Sequence, residues 1–186
     1  NRLQRVVSIP NQPTGIASGS TSANQFLGQI ETGYKVGLGI GANASVTPFG
    51  RLQIGTVNQA GFTEGGQSFF NLSVASQTTT SVRTTFGADL AASFDLGGGT
   101  PLDIGVRLGW MHEFADTSRP ITAAFAAAPG PQFTVWGATP ARDSAVIGVS
   151  AATAVGERTS LFVAYDGEVG GGTDNHQLRA GFRFTW

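Results

Sequence analysis

From Leu102 to Phe114 the side chains alternate so strictly that an extended strand is the only regular structure that can use the pattern. Leu102, Ile104, Val106, Leu108, Trp110 and Phe114 fall on one face, and Asp103, Gly105, Arg107, Gly109 and Glu113 on the other. The same period of two runs through Asn24–Leu38, Ser45–Gln59, Val82–Leu96, Asp143–Ala154, Leu161–Val169 and Gln177–Trp186. A shorter, weakly phased segment, Asn1–Ser8, precedes them. That predicts an all-β, antiparallel chain with about eight strands and one apolar and one polar face.

The connections carry as much information as the strands. Gly39–Asn43, Gly97–Pro101 and Gly156–Arg158 read as short turns. Ile9–Ala23, Ala60–Ser81, Ala115–Arg142 and the glycine-rich Gly170–Asn175 read as loops, with a short hairpin expected around Phe70–Gln77 and a small strand at Gln132–Trp136. Short and long connections therefore alternate, as in transmembrane barrels with short turns at one end and long loops at the other. The segments, about 9 to 15 residues long, meet the length of a tilted membrane strand. No run approaches the roughly 18 apolar residues of a spanning helix. Only 12 % of residues are charged, which suits a surface that water need not solvate. A net charge of −1 excludes the basic footprint of a nucleic-acid binder, and the lack of cysteine excludes disulfides and thiolate metal sites.

The closing strand places Leu178, Ala180, Phe182, Phe184 and Trp186 on one face and Arg179, Gly181 and Arg183 on the other. Its pattern of Arg179, Gly181, Phe184 and Trp186 resembles the C-terminal assembly signal of bacterial outer-membrane proteins. That resemblance implies recognition by the barrel assembly machinery.

Arg107-Leu108-Gly109-Trp110-Met111-His112-Glu113-Phe114, Tyr165-Asp166-Gly167-Glu168-Val169 and Gly181-Phe182-Arg183-Phe184-Thr185-Trp186 together resemble the C-terminal β-domain of autotransporters, the type V secretion family. Thr47-Pro48-Phe49-Gly50-Arg51-Leu52 and Arg83-Thr84-Thr85-Phe86-Gly87 are similar to that domain as well. The resemblance implies a twelve-stranded transmembrane β-barrel in the bacterial cell outer membrane, a translocator domain that anchors and exports its own N-terminal passenger. It also implies a helix or extended segment in the lumen. With about eight strands visible, residues 1–186 are expected to be the later part of such a barrel, N-terminally incomplete, with about four further strands upstream. The alternative is a complete small eight-stranded barrel with a structural or adhesive role, closed by pairing Asn1–Ser8 with the last strand. A soluble all-β binding module and an outer-membrane enzyme are the remaining rivals.

On the barrel phase the lumen-facing set is Glu31, Lys35, Arg51, Arg83, Asp89, Arg107, Glu113, Asp166, Glu168 and Arg183, with Asp95, Asp103 and Arg179 beside them. The signs nearly balance, so cross-strand pairs are expected. Gly33, Gly55, Gly87, Gly105, Gly109 and Gly181 share this face, either to let something approach closely or to relieve strain in a curved sheet. Ile30, Leu52, Leu90, Leu108, Val149 and Val163 are expected to meet acyl chains of outer-membrane lipid.

Catalytic patterns are weak. His112 and Glu113 point to opposite faces and cannot share a ligand. Asp166 and Glu168 share a face, as paired-carboxylate hydrolysis would need, but arginine pairing is the simpler role. Gly37–Gly41 precedes no helix, and Gly148-Val149-Ser150 lacks the closing glycine of a nucleophile elbow. No enzyme activity, metal or cofactor is expected.

Overall fold

The computed structural model describes residues 1–8, 10–11, 14–41, 43–66, 69–172 and 174–185. Among them every regular element is a strand. The strands are β1 (Arg2–Val7), β2 (Gly15–Ser20), β3 (Ala23–Gly33), β4 (Val36–Gly37), β5 (Ser45–Gln59), β6 (Phe62–Thr63), β7 (Leu72–Val74), β8 (Gln77–Asp95), β9 (Pro101–Glu113), β10 (Pro120–Phe125), β11 (Ala128–Trp136), β12 (Asp143–Gly156), β13 (Thr159–Gly170) and β14 (Asn175–Phe184).

The main sheet has eight strands in the order β14-β13-β12-β9-β8-β5-β3, with β4 also paired to β5. Neighbours are antiparallel, for example Ile147 opposite both Leu108 and Gly167. The eighth strand of this sheet is not Asn1–Ser8, as the sequence suggested, but β4, set off from β3 by Tyr34 and Lys35. Three consecutive glycines with positive φ, Gly97 (111°), Gly98 (67°) and Gly99 (80°), turn β8 into β9. Side chains could adopt that path only with strain, which is why this turn reads Gly-Gly-Gly.

The residues gather in two compact units. Residues 29–53, 82–115 and 140–186 form one, built on the main sheet. Its distribution of side chains is the reverse of a water-soluble domain. Ile30, Leu52, Leu90, Leu108, Val149 and Val163 are all exposed, Ile30 to 68 %. Glu113, by contrast, is only 2 % exposed. Apolar side chains left outward over several strands have a stable home only against an apolar medium or partner.

Residues 1–28, 54–81 and 116–139 form the other unit. Here the loops expected at Ile9–Ala23, Ala60–Ser81 and Ala115–Arg142 contain structure. β1 and β2 make a hairpin, Arg2 opposite Ser20 through Val7 opposite Gly15. β11, β10, β7 and β6 make a four-stranded sheet in that order. The strand expected at Gln132–Trp136 is present and begins earlier, at Ala128. The small hairpin expected near Phe70–Gln77 is instead β7 paired on one side to β6 and on the other to β10. β8 begins at Gln77 rather than Val82. Ser18 and Gly65 exchange backbone hydrogen bonds of 2.9 and 2.8 Å, which ties the hairpin to the end of β6.

Arg5 fixes that join. Its guanidinium donates to both oxygens of Glu64 (3.2 and 2.6 Å) and to the carbonyl of Phe70 (2.6 Å). Glu64 also accepts from the backbone N–H of Leu72 (2.9 Å). One carboxylate thus gathers β1, β6 and β7, and short Ser- and Gly-rich segments become strands through this long-range contact rather than through their own propensity. The last connection is shorter than its glycines suggested: β13 runs to Gly170 and β14 starts at Asn175.

Candidate functional site

The polar face of the main-sheet unit is where the charged side chains converge. Glu31 of β3, Arg51 of β5, Asp89 of β8 and Arg107 of β9 form one network. Arg51 Nε donates to Glu31 (2.6 Å), and Arg107 donates to both oxygens of Asp89 (2.6 and 2.7 Å). A further bond from Arg107 reaches Glu31 at 3.1 Å, so Glu31 joins the two arginines. Strand register produces this: Asp89 lies directly opposite Arg107 on the neighbouring strand.

A second group surrounds Glu113, whose carboxylate accepts from the backbone N–H groups of Val82 (2.8 Å) and Ala115 (3.0 Å) and from Arg83 Nε (3.2 Å). Arg83 also lies 3.8 Å from Glu168. Arg179 pairs with Asp166 across β13 and β14. Both signs are therefore paired, which removes most of the cost of holding charge away from bulk water. A polar cleft of about 490 Å³ opens on this face, lined in part by Arg51, Gln53, Arg83, Thr85, Arg107 and Met111.

Of the ten charged residues expected on one face, Glu31, Arg51, Arg83, Asp89, Arg107, Glu113, Asp166 and Glu168 take part in these pairs. Lys35 is exposed between β3 and β4, and Arg183 is exposed in β14 opposite Ser160. Of the expected assembly signal, Arg179 pairs with Asp166, Gly181 lies under the Phe162 ring, and Phe184 packs edge-on against Phe182 at 5.3 Å. Trp186 lies outside the described residues.

The glycines of this face have a specific use. Phe49, buried at 6 % exposure, projects from β5 on the polar side. A Cβ on Gly87 would meet its ring at 2.9 Å and one on Gly109 at 3.6 Å. The guanidinium of Arg107 lies over the same ring, 4.3 Å from its centroid. Phe49 thus fills the space that two missing side chains leave and carries a cation on its outer face. Phe162 repeats the arrangement over Gly181, at 2.9 and 3.0 Å. Phe49 stands in the polar phase of its strand, which was the signal that it does not belong to the apolar surface.

Sequence reasoning missed two clusters on the apolar face. Asp143 Oδ1 accepts from Trp110 Nε1 (3.1 Å) and lies 2.7 Å from His112 Nδ1. Phe114 packs edge-on to that imidazole at 4.7 Å. Tyr165 and His176 stack, their Oη and Nδ1 atoms 2.8 Å apart. Polar-tipped rings at a strand end, as at Trp110 and His112, with Phe114 packed beside them, suit a membrane–water boundary. Among the described residues no group of His, Asp and Glu could hold a metal ion.

Antiparallel strands of membrane length, apolar outside and charge-paired on the other face, define a protein of the β-barrel class. The match to known families is specific: residues 1–166 fit the model of the autotransporter β-domain. The chain belongs to that family, whose members are outer-membrane translocators of type V secretion. No curated protein matches the chain.

Proposed function

We propose that this β-domain anchors in the bacterial outer membrane and carries an N-terminal passenger to the cell surface, its polar face lining the route. The observation that carries this reading is the reversed side-chain distribution: outward Leu, Val and Ile beside ion pairs on the opposite face. In this reading Glu31, Lys35, Arg51, Arg83, Asp89, Arg107, Glu113, Asp166, Glu168 and Arg183 face the lumen. Paired charges of both signs hold little net field, so a polypeptide segment can lie against them without strong attraction or repulsion.

The partners follow from the same surfaces. Lipid acyl chains cover Leu90, Leu108 and Val149, and the barrel assembly machinery reads the closing strand with Arg179, Gly181, Phe184 and Trp186. β1 pairs with β2, and among the described residues β14 pairs with β13 alone. Because an unpaired strand edge in lipid costs several kcal/mol per orphan group, the free edges of β14 and β3 need partners in the membrane.

Protease added to intact cells that express the full-length protein tests the reading. It should remove the passenger and leave a protected β-domain fragment in the membrane fraction. A passenger degraded only after lysis would overturn it.

A further inference from the structure

The four-stranded sheet ends on β11, and β11 offers a specific edge. Gly137 donates its N–H to the carbonyl of Arg119 (2.9 Å), which fixes the pairs that exchange hydrogen bonds between β10 and β11. These are Ile121 with Val135 and Ala123 with Phe133. The backbone groups of Gln132, Thr134 and Trp136 therefore point away from β10, off the sheet. The opposite alternation in β10 agrees: the carbonyl of Thr122 accepts from Ala75 N–H (3.0 Å) on the other side. Among the described residues no strand other than β10 pairs with β11, and residues 131–139 are all exposed.

Strand edges are normally protected by charge, especially lysine. Here no charged residue occurs from Pro120 to Ala141. One face of this sheet is apolar and partly exposed, with Ile121 (46 %), Phe125 (42 %), Phe133 (38 %) and Val135 (54 %). Phe125 packs against Phe133 at 5.8 Å and against Phe70 at 6.5 Å. The other face is mixed: Trp136 is 67 % exposed there, beside Thr134 and Gln132, and the hydroxyls of Thr122 and Thr134 are 3.2 Å apart.

We infer that β11 is a self-association edge, pairing antiparallel with β11 of a second copy of this chain about a two-fold axis through Thr134. The edge is complementary to itself. With Thr134 opposite its own counterpart, Gln132 falls opposite Trp136, and the three outward residues form hydrogen-bonded pairs, about six bonds in all. Phe133 then lies beside the Val135 of the second copy, extending the apolar face across the junction. Absence of charge means that apposing two copies brings no like charges together. The two-fold operator makes the contact closed rather than fibre-forming. This inference is independent of the route proposed for the passenger, because it uses none of the paired charges.

Residues 1–186 contain no cysteine, so with any cysteine elsewhere in the full-length protein replaced by serine, single cysteines report the register directly. Opposed residues in a hydrogen-bonded pair have Cα atoms about 5.5 Å apart, within disulfide reach. In the full-length protein under mild oxidation, Thr134→Cys should form a covalent dimer. Gln132→Cys alone and Trp136→Cys alone should not, whereas their mixture should. Thr122→Cys, on the inner strand, should remain monomeric. Without any cysteine the protein should sediment as a dimer in detergent, and Val135→Lys should sediment as a folded monomer. Monomeric sedimentation of the unsubstituted protein, or no excess of dimer for Thr134→Cys over Thr122→Cys, would overturn the inference. So would self-linking of Gln132→Cys as efficient as that of Thr134→Cys.

Discussion

Arg107 rests on Phe49: its guanidinium carbon is 4.3 Å from the centre of a ring that lies across two glycines. The cation is held from below by the ring and from the sides by Asp89 and Glu31. Arg107→Ala should remove all three contacts, leaving Asp89 without its arginine and Glu31 held by Arg51 alone. Because these groups remain a quarter to a third exposed, the expected loss is about 1–3 kcal/mol rather than the larger figure for a fully buried pair. Urea unfolding in lipid vesicles measures it. Arg107→Lys should recover only part, since an ammonium cannot serve both oxygens of Asp89 in the same fork geometry.

The two aromatic–glycine contacts should respond differently to the same substitution. Gly181→Ala meets only the Phe162 ring, so Phe162→Ala should rescue it. Gly87→Ala also meets the Leu108 carbonyl and the Gly109 Cα (2.7 Å), which are backbone. Phe49→Ala should therefore fail to rescue Gly87→Ala. A double-mutant cycle on unfolding free energy separates the cases, and equal rescue at both sites would contradict the packing described.

Leu108→Arg or Val149→Arg should cost about 2–4 kcal/mol if the position lies near the bilayer midplane. Gln53→Arg, on the polar face beside Arg51, should insert almost normally. Folding yields into vesicles give the comparison. Normal insertion of Leu108→Arg and Val149→Arg beside failure of Gln53→Arg would mean that the faces are assigned the wrong way round, and equal yields for all three that they do not differ.

The β1–β2 hairpin should loosen in acid. Arg5, by hydrogen bonding and by charge, together with the Leu72 N–H, holds the Glu64 carboxyl below its ordinary value, against a smaller opposing effect of burial. A depressed carboxylate contributes stability that is complete above its unfolded pKa, about 4.3, and is lost as pH falls through the folded value. Protection of the Arg5 and Ser18 amides, with exchange corrected for its intrinsic pH dependence, should accordingly fall below about pH 4. Glu64→Gln should exchange faster at neutral pH and show no further acid step.

What the sequence makes legible is whatever a period of two encodes. The long strands, their two faces and the charged set from Glu31 to Glu168 all follow from alternation, because one residue of slip would turn every side chain over. Pairing partners do not follow, since Arg107 meets Asp89 and Glu31 only through registers set between different strands. β2 and β6 are invisible for another reason: six and two residues long, they form around the Arg5–Glu64 contact, not from local preference. Phe49 illustrates the boundary. Its phase is plain in the sequence, but that its ring occupies the places of two glycines on other strands is not.

The connections of the main sheet also set an order of events. β12 and β13 are joined by Glu157 and Arg158 alone, and β13 and β14 by residues 171–174. β9 must instead find β12 across the whole of residues 114–142. Closing a short loop costs less chain entropy than closing a long one, and local contacts form faster. The three C-terminal strands should therefore assemble first as a meander, with β12 exposed as the template on which the β8–β9 hairpin, itself closed by the short turn at Gly97–Gly99, and then β5 are laid down.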